Sequence, residues 1–107
     1  MKVIVMEPNC ELELREIEND YKDFQALVGG EFTNLPVILG GIPYYTVSND
    51  EGLIHKLPLN KYIVRNGRKV DKFVGTIVFT KLDESDCTKD DLLHIKHFIT
   101  EDSILIG

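Results

Sequence analysis

Apolar residues occupy both alternating faces of the first strand-like run, "KVIVM", in which Val3 and Val5 oppose Ile4 and Met6. A strand apolar on both faces is covered on both, so residues 2–6 are predicted to lie inside a sheet. After a Pro8-Asn9 turn, "CELELREIE" alternates, with Leu12, Leu14 and, one step out of phase, Ile17 against Glu11, Glu13 and Glu16. This predicts a second strand with one solvated face, paired to the first. In "NDYKDFQALVGG" the period changes: Tyr21, Phe24, Leu27 and Val28 recur at helical spacing. Asn19 or Asp20 is placed to cap that helix, and Gly29 or Gly30 to end it in the left-handed region. The Gly-Gly pair follows a helix C-terminus, whose dipole is negative, so it is read as a cap and not as a phosphate loop.

"FTNLPVILGGIPYYTVSND" predicts a hairpin turning at Gly40-Gly41, with Leu39 opposite Ile42 and Val37 opposite Tyr44. Pro36 and Pro43 cannot donate ladder bonds, which places at least one of these strands at an edge. "DKFVGTIVFTKL" is read as one strand, apolar on both faces and near the sheet centre. "CTKDDLLHIKHFITED" predicts a second helix with Thr88 and Asp91 as a capping box and Leu92, Ile95 and Ile99 as its buried stripe. "SILIG" adds a short strand or frays. The fold class is therefore α+β: a mixed or mainly antiparallel sheet of about five to six strands, with two helices packed on one face.

Between the hairpin and the central strand, "NDEGLIHKLPLN" (49–60) suits neither period. It is expected to form a rigid polar elbow. Gly52 would be left-handed, Asp50 bonded to local backbone, Leu53, Leu57 and Leu59 pinned to the core, and Asn60 capping a turn through "NKYIV". Short polar side chains of this kind serve local backbone or present fixed hydrogen bonds to a ligand. Both readings stay open for Asn49, Glu51 and Asn60.

Composition sharpens the picture in a few respects. With 107 residues, 43% apolar and 28% charged, the chain reads as a single domain over 1–107 and not as a disordered segment. A chain of this size buries roughly 60–70% of its unfolded surface, enough for one core. No apolar run is long enough to span a bilayer, and the first residues are too short for a signal-peptide apolar region. Cys10 and Cys87 are far apart and form no C-x-x-C motif, which fits free thiols in the cytoplasm.

Charge is unevenly placed within a net of −6. Residues 7–31 carry eight acids against two bases, and residues 83–102 seven against two. Between them "KYIVRNGRKVDK" (61–72) carries five bases against one acid. That segment is either a solvated hairpin paired to the acidic ends or an anion-binding surface. In the second case Arg65 and Arg68 would grip phosphate through forked donors and Tyr62 would stack on a ring.

Other chemistry lacks support. His94 and His97, with Asp90, are expected on a solvated helix face, because a metal site needs further ligands that no second motif supplies. No nucleophile elbow, zinc-protease or phosphate-loop motif is present, so a non-enzymatic protein without a cofactor is expected. DNA binding would rest on residues 61–72 against two acidic segments and is not expected, nor is membrane association.

"LVGGEF", "NDEG", "LPLN" and "VGTIVF", in that order, resemble a small domain family without assigned activity, found widely in bacteriophages, plasmids and their hosts. The matching positions are Val28, Gly29, Gly30, Asn49, Glu51, Gly52, Leu57, Asn60 and Gly75. The similarity runs from the first strand to Thr80, with residues 88–107 less clearly within it. The resemblance implies a cytoplasmic accessory protein of a mobile element and transfers no catalytic residue. Two functions are carried forward. One is sequestration of an anionic small molecule, such as a nucleotide-derived signal in counter-defence, through Asn49, Glu51, Asn60, Tyr62, Arg65 and Arg68. The alternative is an interaction module that modulates a host protein. Homo-oligomerisation is compatible with either.

Overall fold

The computed structural model describes residues 1–107. Ten elements follow one another: β1 (Lys2–Met6), β2 (Glu13–Glu16), α1 (Tyr21–Val28), β3 (Phe32–Leu39), β4 (Ile42–Asn49), β5 (Leu59–Arg65), β6 (Arg68–Val74), β7 (Ile77–Lys81), α2 (Lys89–His97) and β8 (Ser103–Ile106). The fold is α+β. Five strands form an antiparallel sheet in the order β2-β1-β7-β4-β3, and three form a second sheet in the order β6-β5-β8.

The doubly apolar strands lie inside the larger sheet, β7 at its centre and β1 beside it. Their alternation feeds two separate cores. Ile4, Met6, Ile77 and Phe79 face one way, onto Ile95 of α2 and onto Ile63, Phe73 and Ile104 of the second sheet. Val3, Val5 and Val78 face the other way, onto Val28, Phe24 and Leu27 of α1. The helices therefore lie on opposite faces of the large sheet, not on one. Each fully buried valine, isoleucine or phenylalanine stabilises by about 1.5–3 kcal/mol, so both faces are strongly specified.

Local signals hold at the predicted places. Asp20 caps α1 by accepting from Lys22 N–H, and Gly29, at φ 82°, ends it. Thr88 and Asp91 close the capping box of α2. The β3–β4 hairpin turns at Gly40 and Gly41, both at positive φ, with Leu39 opposite Ile42 and Val37 opposite Tyr44.

One strand expectation fails. "DKFVGTIVFTKL" is not one strand: Phe73 and Val74 end β6 in the small sheet, and Ile77 begins β7 in the large one. The break is Gly75, left-handed at φ 73°, with its N–H on Pro58 O. A glycine inside an apolar strand pattern marks such a break. The tail does form a strand, but β8 runs parallel to β5, with Ile63 opposite Ile104.

Candidate functional site

The elbow at 49–60 is built differently from its sequence reading. Asn49 is buried at the end of β4; its Nδ2 donates to Val28 O at the end of α1 and its Oδ1 accepts from Glu51 N–H. This side chain, not that of Asp50, makes the local turn. Gly52 is not left-handed; it is buried, and a Cβ there would lie 2.6 Å from Val74 Cγ2, which leaves room for no side chain. The left-handed residue is Lys56, at φ 55°. Leu57 packs against Gly52 and Gly75, whereas Leu53 is 68% and its neighbour Ile54 74% exposed, and Leu59 is partly exposed. One leucine of the three pins the segment. Glu51 is solvated, 3.8 Å from His55 Nε2.

Asn60 caps no turn. It lies in β5, 6% exposed, and its Nδ2 donates to Met6 O at 2.8 Å and to Gly75 O at 2.9 Å. It thereby ties the small sheet to β1 and to the break before β7. The two carbonyls fix the orientation of the amide and leave Oδ1 buried without a partner. The pairing of β5 with β6 is irregular here, Leu59 facing Val74 and Lys61 facing Phe73. This bulge turns two successive side chains, Asn60 and Lys61, inward.

The segment 61–72 is a hairpin, closed by Arg65 opposite Arg68 around Asn66 and Gly67, which both have positive φ. On its solvent face Lys72 is opposite Tyr62, and Lys69 Nζ lies 4.0 Å from the centre of the Tyr62 ring. Tyr62, Lys69 and Lys72 line a shallow basin of about 280 Å³, with Asp71 the one carboxylate in its lining. None of Arg65, Arg68, Lys69 and Lys72 forms an ion pair; the pairs present are Arg15 with Glu13, His55 with Glu51 and Lys81 with Asp91. The expected pairing of the hairpin with the acidic ends is absent. Asp102, held below the usual carboxylate range by the Ser103 hydroxyl and to a lesser degree by Lys69, stays outside ion-pair distance.

The six sequence-selected residues thus divide. Tyr62, Arg65 and Arg68 share the hairpin. Glu51 and Asn49 line a recess of about 350 Å³ that borders the basin through Lys72. Asn60 lines neither. Sequence reasoning missed Lys69 and Lys72 as the partners of Tyr62, although both were counted in the basic run. It also missed Lys61, which shares the inward face of Ile63 by the two-residue period of a strand.

A family model described as a domain of unknown function, DUF3846, matches residues 1–101. The chain belongs to this family. No curated protein and no solved structure matches it. The match extends the similarity past Thr80 through the whole of α2, so this DUF3846 domain includes both helices and leaves only β8 beyond the matched residues.

A buried polar network links β4, β7 and α2. Tyr44, fully buried, donates to Asp91 Oδ1 at 2.9 Å, and Lys81 Nζ lies 3.1 Å from Oδ2. Burial, then the Asp91 carboxylate, drives the Tyr44 phenol upward, away from ionisation. Burial also pushes Asp91 up, but the Thr88 N–H, the Tyr44 hydroxyl and Lys81 outweigh it and hold the carboxyl below its ordinary value. Burial raises the Cys87 thiol to about 11, an inert environment for a nucleophile. His94 does not belong to a solvated face: its Nε2 is 2.6 Å from Leu39 O and its ring packs at a tilt against Phe98. No helix of the domain is long and apolar enough to cross a membrane.

Proposed function

We propose that this domain is a non-enzymatic binding protein whose β5–β6 hairpin holds an anionic, nucleotide-like small molecule. The observation that carries this reading is the set of four unpaired cations, Arg65, Arg68, Lys69 and Lys72, on the hairpin that carries Tyr62. Four cations on one hairpin repel one another, and an anion that enters their field relieves the repulsion. Tyr62 offers a ring face for stacking, with Lys69 displaced from it toward phosphate. In the cell the domain acts as a cytoplasmic accessory of a mobile element, sequestering a nucleotide-derived signal and blunting host defence.

A thermal-shift screen of mono- and cyclic nucleotides, sugar phosphates and dinucleotides tests it. At a hundredfold excess over the dissociation constant a binder stabilises by about 2.7 kcal/mol. Arg65→Glu with Arg68→Glu leaves the melting temperature nearly unchanged and abolishes that gain, and added salt weakens it in the wild type. A screen without a hit refutes the small-molecule reading.

A second reading draws on the edge that β6 presents. This strand is seven residues long, borders the small sheet and is mostly solvated. An acidic extended segment of a host protein would add to it as a strand, with Lys69 and Lys72 answering its charge. Binding of an acidic peptide that survives Arg65→Glu and Arg68→Glu, but fails when β6 carries Val70→Pro, supports this module instead.

A further inference from the structure

Lys61 is a charged side chain that is largely buried but opens onto a cleft. It is 9% exposed, and its Nζ has one protein partner, Glu101 O at 2.8 Å, with no carboxylate in ion-pair distance. A buried ammonium is costly unless its charge is answered, and two of its three N–H donors here have no protein acceptor. The side chain lines a cleft of about 480 Å³, separate from the Tyr62 basin, and Lys96 of α2 lines the same cleft. Met6, Leu12 and Ile99 supply apolar wall, and Glu11 and Glu101 bring two carboxylates to the lining.

We propose that this cleft binds a small monocarboxylate with a short hydrocarbon body. The carboxylate sits on Lys61 and Lys96, where it accepts charge-assisted hydrogen bonds from both ammonium groups. The hydrocarbon body lies on Met6, Leu12 and Ile99. Glu11 and Glu101 repel a second negative charge, which separates this ligand from the nucleotide-like anion of the hairpin. The inference stands whether or not the hairpin binds its own ligand.

The test is a ¹⁵N-correlation titration of the full chain with three probes of equal chain length: hexanoate, hexan-1-ol and adipate. Hexanoate is expected to give saturable shifts centred on Asn9, Cys10, Ile99 and Thr100, with hexan-1-ol and adipate at least about tenfold weaker. Lys61→Met keeps the aliphatic stem and weakens hexanoate by about tenfold or more. Lys96→Gln, on the solvated side of α2, does the same without touching the core, so the result survives if Lys61→Met folds poorly. Arg65→Glu with Arg68→Glu leaves hexanoate binding intact, which keeps failure of this site distinct from failure of the hairpin. Overturning results are the absence of saturable shifts, hexan-1-ol or adipate matching hexanoate, or an unchanged affinity in Lys96→Gln.

Discussion

Replacing Asn60 discriminates between a capping asparagine and one that donates into the core. As a cap, Asn60 would be replaced mildly by aspartate, because a carboxylate also accepts from backbone N–H groups. The geometry demands the opposite ranking. Nδ2 gives one hydrogen bond to Met6 O and one to Gly75 O, both buried. Asn60→Ala removes both and strands two carbonyls, a loss of about 2–4 kcal/mol at roughly 1 kcal/mol per bond plus desolvation. Asn60→Asp cannot donate when ionised and sets a carboxylate against both carbonyl oxygens, so it costs more than alanine at neutral pH. The new carboxyl has its folded pKa raised. Protonated, the carboxyl has one O–H for the two carbonyls, so the variant stays below wild type at low pH but recovers part of the loss below about pH 4; that part is lost again as pH rises through the raised value. Urea denaturation at pH 7 and pH 4 reads both effects; with m of about 2 kcal/mol/M, the alanine midpoint falls by about 1–2 M. An aspartate variant milder than alanine at pH 7 would refute the reasoning.

Further outcomes follow from other contacts. Gly40→Ala places a Cβ 2.4 Å from Phe98 Cζ at a positive φ, whereas Gly41→Ala meets nothing within 4 Å. Gly41→Ala therefore costs only left-handed strain of about 1–2 kcal/mol, and Gly40→Ala exceeds it by about 1 kcal/mol or more; equal urea midpoints would contradict this. Asp91 is held below the usual carboxylate range, so its contribution is present above that range and is lost as pH falls through its folded pKa. Asp91→Asn should lower stability at pH 7 and flatten the acid limb of a melting-temperature profile. A thiol reagent should titrate Cys10 promptly and Cys87 only on unfolding, since Cys10 is exposed and Cys87 is buried with a raised pKa. Two thiols reacting at one fast rate would contradict that burial.

Much of the fold was legible because the signals are local. Double-faced apolar strands, helix caps and a glycine turn each name their own element, and Val3, Asp20, Gly40 and Thr88 behave as their chemistry dictates. Allocation to sheets was not local. Phe73 and Ile77 look like one strand in sequence, yet Gly75 sends them to different sheets. The placement of the helices on opposite faces follows from β1 and β7 being apolar on both sides, a signal present in the sequence but spent on burial alone. For the candidate site, the basic hairpin was visible as charge. The roles of Asn49 and Asn60 were not, because their acceptors, Val28 O and Met6 O, lie 21 and 54 positions away. Polar side chains with distant backbone partners leave no spacing to read.

The central position of β7 has a consequence for the order of assembly during synthesis. Ile4 pairs with Phe79, 75 residues later in the chain, and β7 is also the only strand that joins β1 to β4. At about 5–20 residues per second, the β1–β2 pair waits roughly 3–13 seconds and the β3–β4 hairpin roughly 2–6 seconds for the strand that unites them. During that interval β1 offers an open edge apolar on both faces, the kind of edge that recruits foreign strands. Closing so distant a pair also raises contact order, which slows folding after release from the ribosome. A nascent chain halted before residue 77 therefore holds the β1–β2 pair and the β3–β4 hairpin without the strand that joins them into one sheet.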